Sequence, residues 1–501
     1  MLRCGIPIRQ SRAFAGRAAL CQAAAMTSTV AVPLWLLVLI IAFALIAFFS
    51  HFLFPSVRWF FRHRMERVVA RMNARLDRPI QPFKLMERHD MIVRLAHDPK
   101  VAEAVAEEAA ATGEPETVVF ERARRYAREI VPSFSATIYF GFGIRLAKWL
   151  TRMLYRVRLD DSRMGDIDPG ATVVFVMNHR SNMDYVLVTY LAAQRSALSY
   201  AVGEWARVWP LSGLIRTMGA YFIRRRSDLP LYRRVLARYV QMATAEGVTQ
   251  AIFPEGGLSL DGRVGAARLG ILGYMVHGQR PAGRDVVFVP VSLNYDRVIE
   301  DRVLIAARVS GTRRFRAPWG SILAFIARHV WRAVFGRFRR FGDAVVCFGA
   351  PVSLAEFAAR TDGDVTPALA AELMTRIAHN VPVVSVPLIA AAWGDDDTTK
   401  ISALHGRCAA LVTRLATFGA PVLLPEGGVT EAVEMALAIF ALRHLARRDG
   451  DFVTLNPGQR GLLDFYAASV LQRFDADAET ALPATGLSAS KGRRLRHKIT
   501  K

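Results

Sequence analysis

Acidic residues are scarce in this chain. Against 66 lysines and arginines stand 43 aspartates and glutamates, a formal charge of +23 over 501 residues. Acid is absent from several long stretches, among them Met1 to Thr29 and the residues between Asp301 and Asp343. So basic a balance calls for an anionic partner, which narrows to nucleic acid, an anionic membrane surface or an anionic substrate. Zinc-finger spacing, a helix-turn-helix and an RNA-recognition signature are all missing, so no nucleic acid is expected. Cysteine is scarce too. Cys4, Cys21, Cys347 and Cys408 are scattered, with neither metal-ligand nor disulfide-framework spacing, which indicates a reducing compartment and no structural metal.

Charge is also missing from one long run, Val30 to Phe54. At 1.5 Å per residue such a run spans a bilayer core of about 30 Å, so a transmembrane helix is expected at 30–54. Arg58, Arg62, Arg64 and Arg67 follow closely and orient the remainder toward the cytoplasm. The segment 1–29 reads as an over-extended start, with Met26 the initiator, or as a targeting segment. Residues 80–160 read as a helical region, 161–350 as an α/β domain, 351–475 as a second helical region and 476–501 as a basic, disordered tail.

The chemistry gathers in the α/β part. Strand-like runs at Thr172–Met177, Leu198–Val202, Ala220–Arg224, Thr249–Phe253, Asp285–Leu293 and Val345–Gly349 alternate with helical patterns, which indicates a largely parallel sheet. The first run ends in Asn178-His179-Arg180-Ser181-Asn182, and a helical pattern resumes at Asp184, with Ser181 and Asp184 spaced as a capping box. His179 then sits at the carboxyl end of a strand, where open α/β sheets bind ligands. On one regular helix, residues five apart do not share a face, so His179 and Asp184 meet only if the histidine lies in the loop. A carboxylate on one imidazole nitrogen fixes the tautomer and frees the other nitrogen to take a proton from an alcohol. The competing reading is a core histidine beside a cap aspartate.

Two further clusters follow strands. Gly219 to Arg226 ends in Arg224, Arg225 and Arg226, and guanidinium forks suit phosphate, although a solvated basic loop has the same composition. Phe253 to Ser259 contains Glu255, Gly256 and Gly257, whose backbone admits close approach of an anion or hydroxyl while the glutamate holds a polyol or an arginine. Pro425-Glu426-Gly427-Gly428 repeats that composition without an equivalent strand and reads as a loop before a helix at Thr430–Arg447. Asp395-Asp396-Asp397 reads as a helix cap before Thr398 rather than a metal site. Arginines alternating with Trp319, Phe325, Trp331, Phe335 and Phe338 suit an anionic phospholipid surface.

Together these clusters resemble the glycerolipid acyltransferases, most of all the large bacterial membrane-bound glycerol-3-phosphate acyltransferases. His179 to Tyr185 matches the family's His-Arg-Ser-x-Met-Asp-Tyr, Gly219 to Arg225 its Gly-Ala-x-Phe-Ile-Arg-Arg block, and Pro290 to Tyr295 its Pro-Val-x-x-x-Tyr block. The flanking helical segments Leu95–Val105 and Leu462–Val470 extend the likeness. The resemblance implies a mixed α/β sheet flanked by helices, and transfer of an acyl group from acyl-CoA or acyl carrier protein to the sn-1 hydroxyl of glycerol 3-phosphate. No cofactor is called for. His179 is then the general base and Asp184 its orienter, while Arg180, Ser181, Arg224, Arg225, Glu255, Gly256 and Gly257 handle the acceptor and its phosphate. One departure stands out: Leu258 and Leu260 occupy the arginine positions of the family's Glu-Gly-Gly-Arg-Ser-Arg. Arg225, Arg226, Arg263 and Arg268 are the available substitutes. Alternative acceptors are dihydroxyacetone phosphate and 1-acylglycerol 3-phosphate, and the alternative class is a noncatalytic lipid-surface protein.

Overall fold

Six consecutive buried residues, Thr172–Met177, form strand β2 at the centre of the computed structural model. A strand apolar on both faces needs a cover on both, and it has a neighbour at each edge as well. The structure describes residues 32–46, 48, 67, 69–70, 73–74, 76, 78–192, 197–203, 211–224, 229–278, 284–311, 331 and 340–480. Residues 1–72 and 73–501 form two compact units, the second holding the α/β region and both helical regions expected on either side of it.

The main sheet contains β1 (Arg156–Asp160), β2, β3 (Ser199–Gly203), β4 (Tyr221–Ile223), β5 (Gln250–Ile252), β6 (Val286–Tyr295) and β7 (Asp343–Phe348) in the order β1-β7-β6-β2-β5-β3-β4. Strand β8 (Val352–Ser353) pairs with β6. The β6 pairings with β7 and β8 are antiparallel and the other pairings are parallel, so the sheet is mixed, as expected. The expected runs beginning at Thr172, Leu198, Ala220, Thr249, Asp285 and Val345 all contain observed strands.

Before β1 come α1 (Arg88–Ala96), α2 (Pro99–Thr112), α3 (Glu116–Ile130) and α4 (Ile144–Leu154), in the region read as helical. Helices α5 (Met183–Ala192), α6 (Pro230–Ala245), α7 (Leu269–Val276) and α8 (Asp301–Ser310) lie among the strands. After them come α9 (Val365–Asn380), α10 (Ser385–Ala392), α11 (Ile401–Thr417), α12 (Gly428–Leu442) and α13 (Arg460–Thr480). Helices α1, α2 and α3 pack on α6, whereas α10, buried almost throughout, packs against α11, α12 and α13. Each face of the sheet thus has its own apolar core, one built with the N-terminal helices and one with the C-terminal helices.

Four expectations need correction. Arg156–Asp160 is an edge strand, not the end of a helix, because its main chain pairs with β7 while its side chains stay largely wet. The C-terminal region holds a small antiparallel sheet of β9 (Thr398–Lys400), β10 (Ala446–Asp449) and β11 (Phe452–Leu455) in place of uninterrupted helix. Thr398 therefore opens a strand, and Asp397 caps no helix there. Its carboxylate meets Arg460 at 2.8 Å, and the same guanidinium holds the carbonyls of Gly394, Asp395 and Asp396. Finally, residues 34–46 are helical with their apolar side chains exposed, yet among the described residues no helix is long and apolar enough to cross a membrane. The rest of the 30–54 run, apart from residues 32, 33 and 48, lies outside the described residues, as do 1–29, most of 312–339, and 481–501.

Candidate active site

Strand β2 stops where its apolar run stops, and the chain turns through Asn178 into the His179 loop before α5 begins. Asn178 fixes the turn by exchanging two hydrogen bonds with the main chain of Leu293 on β6, at 3.0 and 2.8 Å. The His179 Nδ1 lies 2.9 Å from Asp184 Oδ2. The two side chains are 2% and 0% exposed. Oδ2 also accepts the N–H groups of Arg180 and Ser181, while Oδ1 accepts the Tyr295 hydroxyl at 2.6 Å. Four donors around one buried carboxylate fix it in place, and burial, with the Asp184 carboxylate alongside, drives the Tyr295 phenol well above its ordinary range. The capping box is half as expected: Asp184 reaches back to the Ser181 N–H, but the Ser181 hydroxyl accepts from Met183.

The imidazole stacks on Phe253, with centroids 4.2 Å apart, and meets the edge of Tyr185. With Nδ1 committed to Asp184, Nε2 is the nitrogen left for chemistry. The ring lines a cavity of about 450 Å³ at the carboxyl ends of the central strands, together with Tyr185, Arg224, Gly256, Gly257 and Arg268.

Of the residues expected at the site, His179, Arg224, Gly256 and Gly257 line this cavity and Asp184 stands behind the histidine. Arg224 is not free for phosphate. It forms a two-pronged ion pair with Glu129 of α3, at 2.9 and 2.7 Å, which holds the guanidinium firmly charged. The Glu255 carboxylate accepts the N–H groups of His179 at 2.9 Å and Gly265 at 3.0 Å. Burial pushes this acid up to about 7 while the two N–H donors pull it down. Ser181 is buried and donates to Glu300 at 2.7 Å. Arg180 is buried beside the Phe465 ring and donates to the Gly262 carbonyl at 2.6 Å, away from the cavity lining. Arg225 and Arg226 lie outside the described residues.

Three groups were not foreseen in their present roles. Tyr295 was read as part of a family block and proves to be a hydrogen-bond donor to Asp184. Glu300 accepts from Ser181 and Asn182 and so braces the loop from α8, an arrangement with no local sequence signal. Arg268, one of the four candidate substitutes, lays its side chain over Gly256, whose φ of +67° requires glycine, and lines the cavity. An added Cβ at Gly256 would come within 2.7 Å of Arg268 Cδ. Among the described residues Arg268 has no ion-pair partner. Leu258 and Leu260, by contrast, pack against the core.

A buried base–carboxylate pair opening on a cavity at the strand ends is suited to moving a proton during group transfer. Residues 158–294, which hold the whole His179–Asp184 loop, match the acyltransferase family model. Residues 329–492 match the model of the glycerol-3-phosphate acyltransferase C-terminal region. It is similar to the glycerol-3-phosphate acyltransferase of Ectopseudomonas mendocina (strain ymp), 29% identical over 279 residues, 54% of this chain and 32% of that protein. Similarity to the glycerol-3-phosphate acyltransferase of Shewanella sp. (strain ANA-3) runs further, 27% over 446 residues, 82% of this chain and 53% of that one. The chain thus spans between a third and about half of the length of the curated relatives it matches. A solved 1-acyl-sn-glycerophosphate acyltransferase from Thermotoga maritima aligns at 18% identity with a TM-score of 0.30, over 58% of this chain and 94% of that one, a likeness too low to add to the assignment.

Proposed function

We propose that this chain transfers a fatty acyl group from an acyl thioester, acyl-CoA or acyl carrier protein, to the sn-1 hydroxyl of glycerol 3-phosphate. The observation that carries the reading is the His179–Asp184 pair, buried, oriented and facing a cavity that Arg268 also lines. His179 Nε2 takes the proton of the attacking hydroxyl, the oxygen bonds to the thioester carbonyl carbon, and the carbon–sulfur bond breaks. The proton then passes to the departing thiolate, so no covalent enzyme intermediate, metal or redox cofactor enters. Asp184 keeps the imidazole in the right tautomer and stabilises its charged form. Arg268 supplies the phosphate contact that Leu258 and Leu260 cannot make, by a guanidinium reaching the same cavity from the start of α7. The arginine at the cavity favours a phosphorylated acceptor over a neutral alcohol.

The enzyme's place on this reading is a bacterial inner membrane, with the catalytic unit cytoplasmic. The uncharged run 30–54, the basic stretch after Asp301 and the charge of +23 support attachment to an anionic phospholipid surface. The test pairs long-chain acyl-CoA and acyl carrier protein in turn with glycerol 3-phosphate, dihydroxyacetone phosphate and 1-acylglycerol 3-phosphate. Turnover highest with glycerol 3-phosphate and lost in His179→Ala is the expected result. Turnover that survives His179→Ala removes the mechanism, and preference for either other acceptor removes the substrate.

A further inference from the structure

The stretch just before β1 presents a face to solvent that a water-soluble surface does not need. A π-helical turn, Thr137–Gly143, runs directly into α4, and the inward side of the pair, Tyr139, Gly143, Ala147, Thr151 and Leu154, is buried. The outward side carries Phe142, Leu146 and Trp149, which are 54%, 36% and 52% exposed. Their spacing of four and then three residues stacks them into one ridge. Arg145, Lys148 and Arg152, all exposed, form a second ridge alongside it. No acid occurs between Thr137 and Leu154. Among the described residues neither Arg145 nor Lys148 has an ion-pair partner, and Arg152 lies over the Tyr190 ring.

We propose that residues 137–154 form an interfacial helix that lies in the surface of an anionic bilayer. The apolar ridge enters the boundary between headgroups and acyl chains, Trp149 sits at headgroup depth, and the basic ridge meets lipid phosphates. Charge decides between a bilayer and a second copy of the chain. Two copies joined symmetrically would set the same patch against itself, basic ridge facing basic ridge, whereas anionic lipid neutralises it. Helix α4 packs on α5, which carries Asp184 and Tyr185, so seating α4 in lipid holds the catalytic cavity one helix away from the phase that stores acyl chains. The inference rests on the reading of this chain as a lipid-synthesising enzyme and names the surface by which it meets the lipid.

The test uses the full chain with Cys4→Ser and Cys21→Ser, since Cys347 and Cys408 are buried. An environment-sensitive fluorophore is placed at Trp149→Cys, or at Ala110→Cys on the solvent side of α2 as a control. The probes used are vesicles of phosphatidylcholine with and without phosphatidylglycerol, some with quencher-bearing acyl chains, and acyl transfer is assayed on the same samples. At position 149 the emission shifts blue and is quenched on anionic vesicles, and position 110 does not respond. Arg145→Glu with Lys148→Glu raises the lipid needed for half the shift at least about tenfold. Position 149 responding no more than position 110, on protein that sediments with the vesicles, overturns the proposal. So does a label already shielded without lipid in a concentration-dependent way, which would assign the face to self-association. A lipid-seated probe on protein without acyl transfer leaves the surface standing and removes the reaction; turnover with an unseated probe does the reverse.

Discussion

Pro-Glu-Gly-Gly occurs twice in this chain, at Pro254 to Gly257 and at Pro425 to Gly428, and only one copy builds a site. Each is a tight turn with one glycine in the left-handed region, Gly256 at φ +67° and Gly428 at φ +63°. Their surroundings differ. The first follows β5, beside the central strand, and its half-buried glutamate sits under the His179 loop, clasping two main-chain N–H groups. The second follows an isolated bridge, Val383 with Val422; Glu426 is exposed, and the turn is capped instead by Glu431, which accepts the Gly427 N–H at 2.8 Å. A turn sequence specifies a bend. The strand that delivers it specifies whether the bend meets chemistry.

The sharpest way to break this contrast is to remove the base. His179→Ala should lower acyl transfer by about 10²–10⁴-fold with the melting temperature little changed, while Glu426→Ala should leave the rate alone. Equal losses in kcat from the two variants would mean that the first loop has no privileged chemistry. Next comes the glutamate itself. Glu255→Gln replaces an oxygen acceptor by an amide that satisfies only one of the two N–H groups, at a cost of about 1–3 kcal/mol, with kcat/KM reduced by about tenfold. Glu426→Gln, at an exposed site, should stay within about 0.5 kcal/mol in denaturant unfolding.

Acidity separates the two turns further. In the folded chain Glu255 holds its proton up to about 7 instead of 4.5, and buried Asp296 holds its proton up to about 7 instead of 3.8. Between those limits the folded chain binds more protons than the unfolded one, so both acids make stability fall as pH rises toward 7. The melting temperature of Glu255→Gln relative to wild type should therefore climb across that interval. A flat difference would show Glu255 ionised throughout. Smaller still, Arg268→Ala should raise KM for glycerol 3-phosphate about tenfold with little change in kcat, a loss of one charge-assisted contact. Tyr295→Phe should slow turnover only several-fold, because three other donors still hold Asp184.

The contrast also explains how much was legible in the sequence. The His179–Asp184 pair was readable because six residues at a strand-to-helix bend contain the whole geometry. The central buried strand was readable for a similar reason: five apolar residues, Val173 to Met177, bounded by polar ones admit few other readings. The edge strand β1 was not, since Arg-Val-Arg-Leu-Asp carries charge at alternate positions and earns its place only by pairing with β7. Strands β9 and β10, Thr-Thr-Lys and Ala-Arg-Arg-Asp, are short and polar and were missed for the same reason. Arg224 was assigned to phosphate because nothing near it in sequence announces Glu129, 95 positions away, and Glu300 reaches Ser181 across 119 positions. Arg268 was one of four candidates in the sequence, and only the fold shows its side chain lying over Gly256.

Gly262 carries a consequence for how this protein can be divided. An added Cβ there would fall 1.8 Å from the Phe465 carbonyl oxygen, so the loop after β5 and helix α13 touch with no room for a side chain. The same glycine's carbonyl receives Arg180 from the His179 loop, and Tyr466 on α13 donates to Asp301, next to the Glu300 that braces that loop. The catalytic bend is therefore closed from the far end of the chain. An engineer who excises the stretch around β2 to β6 as a cassette removes its keystone, and a working fragment has to keep α13.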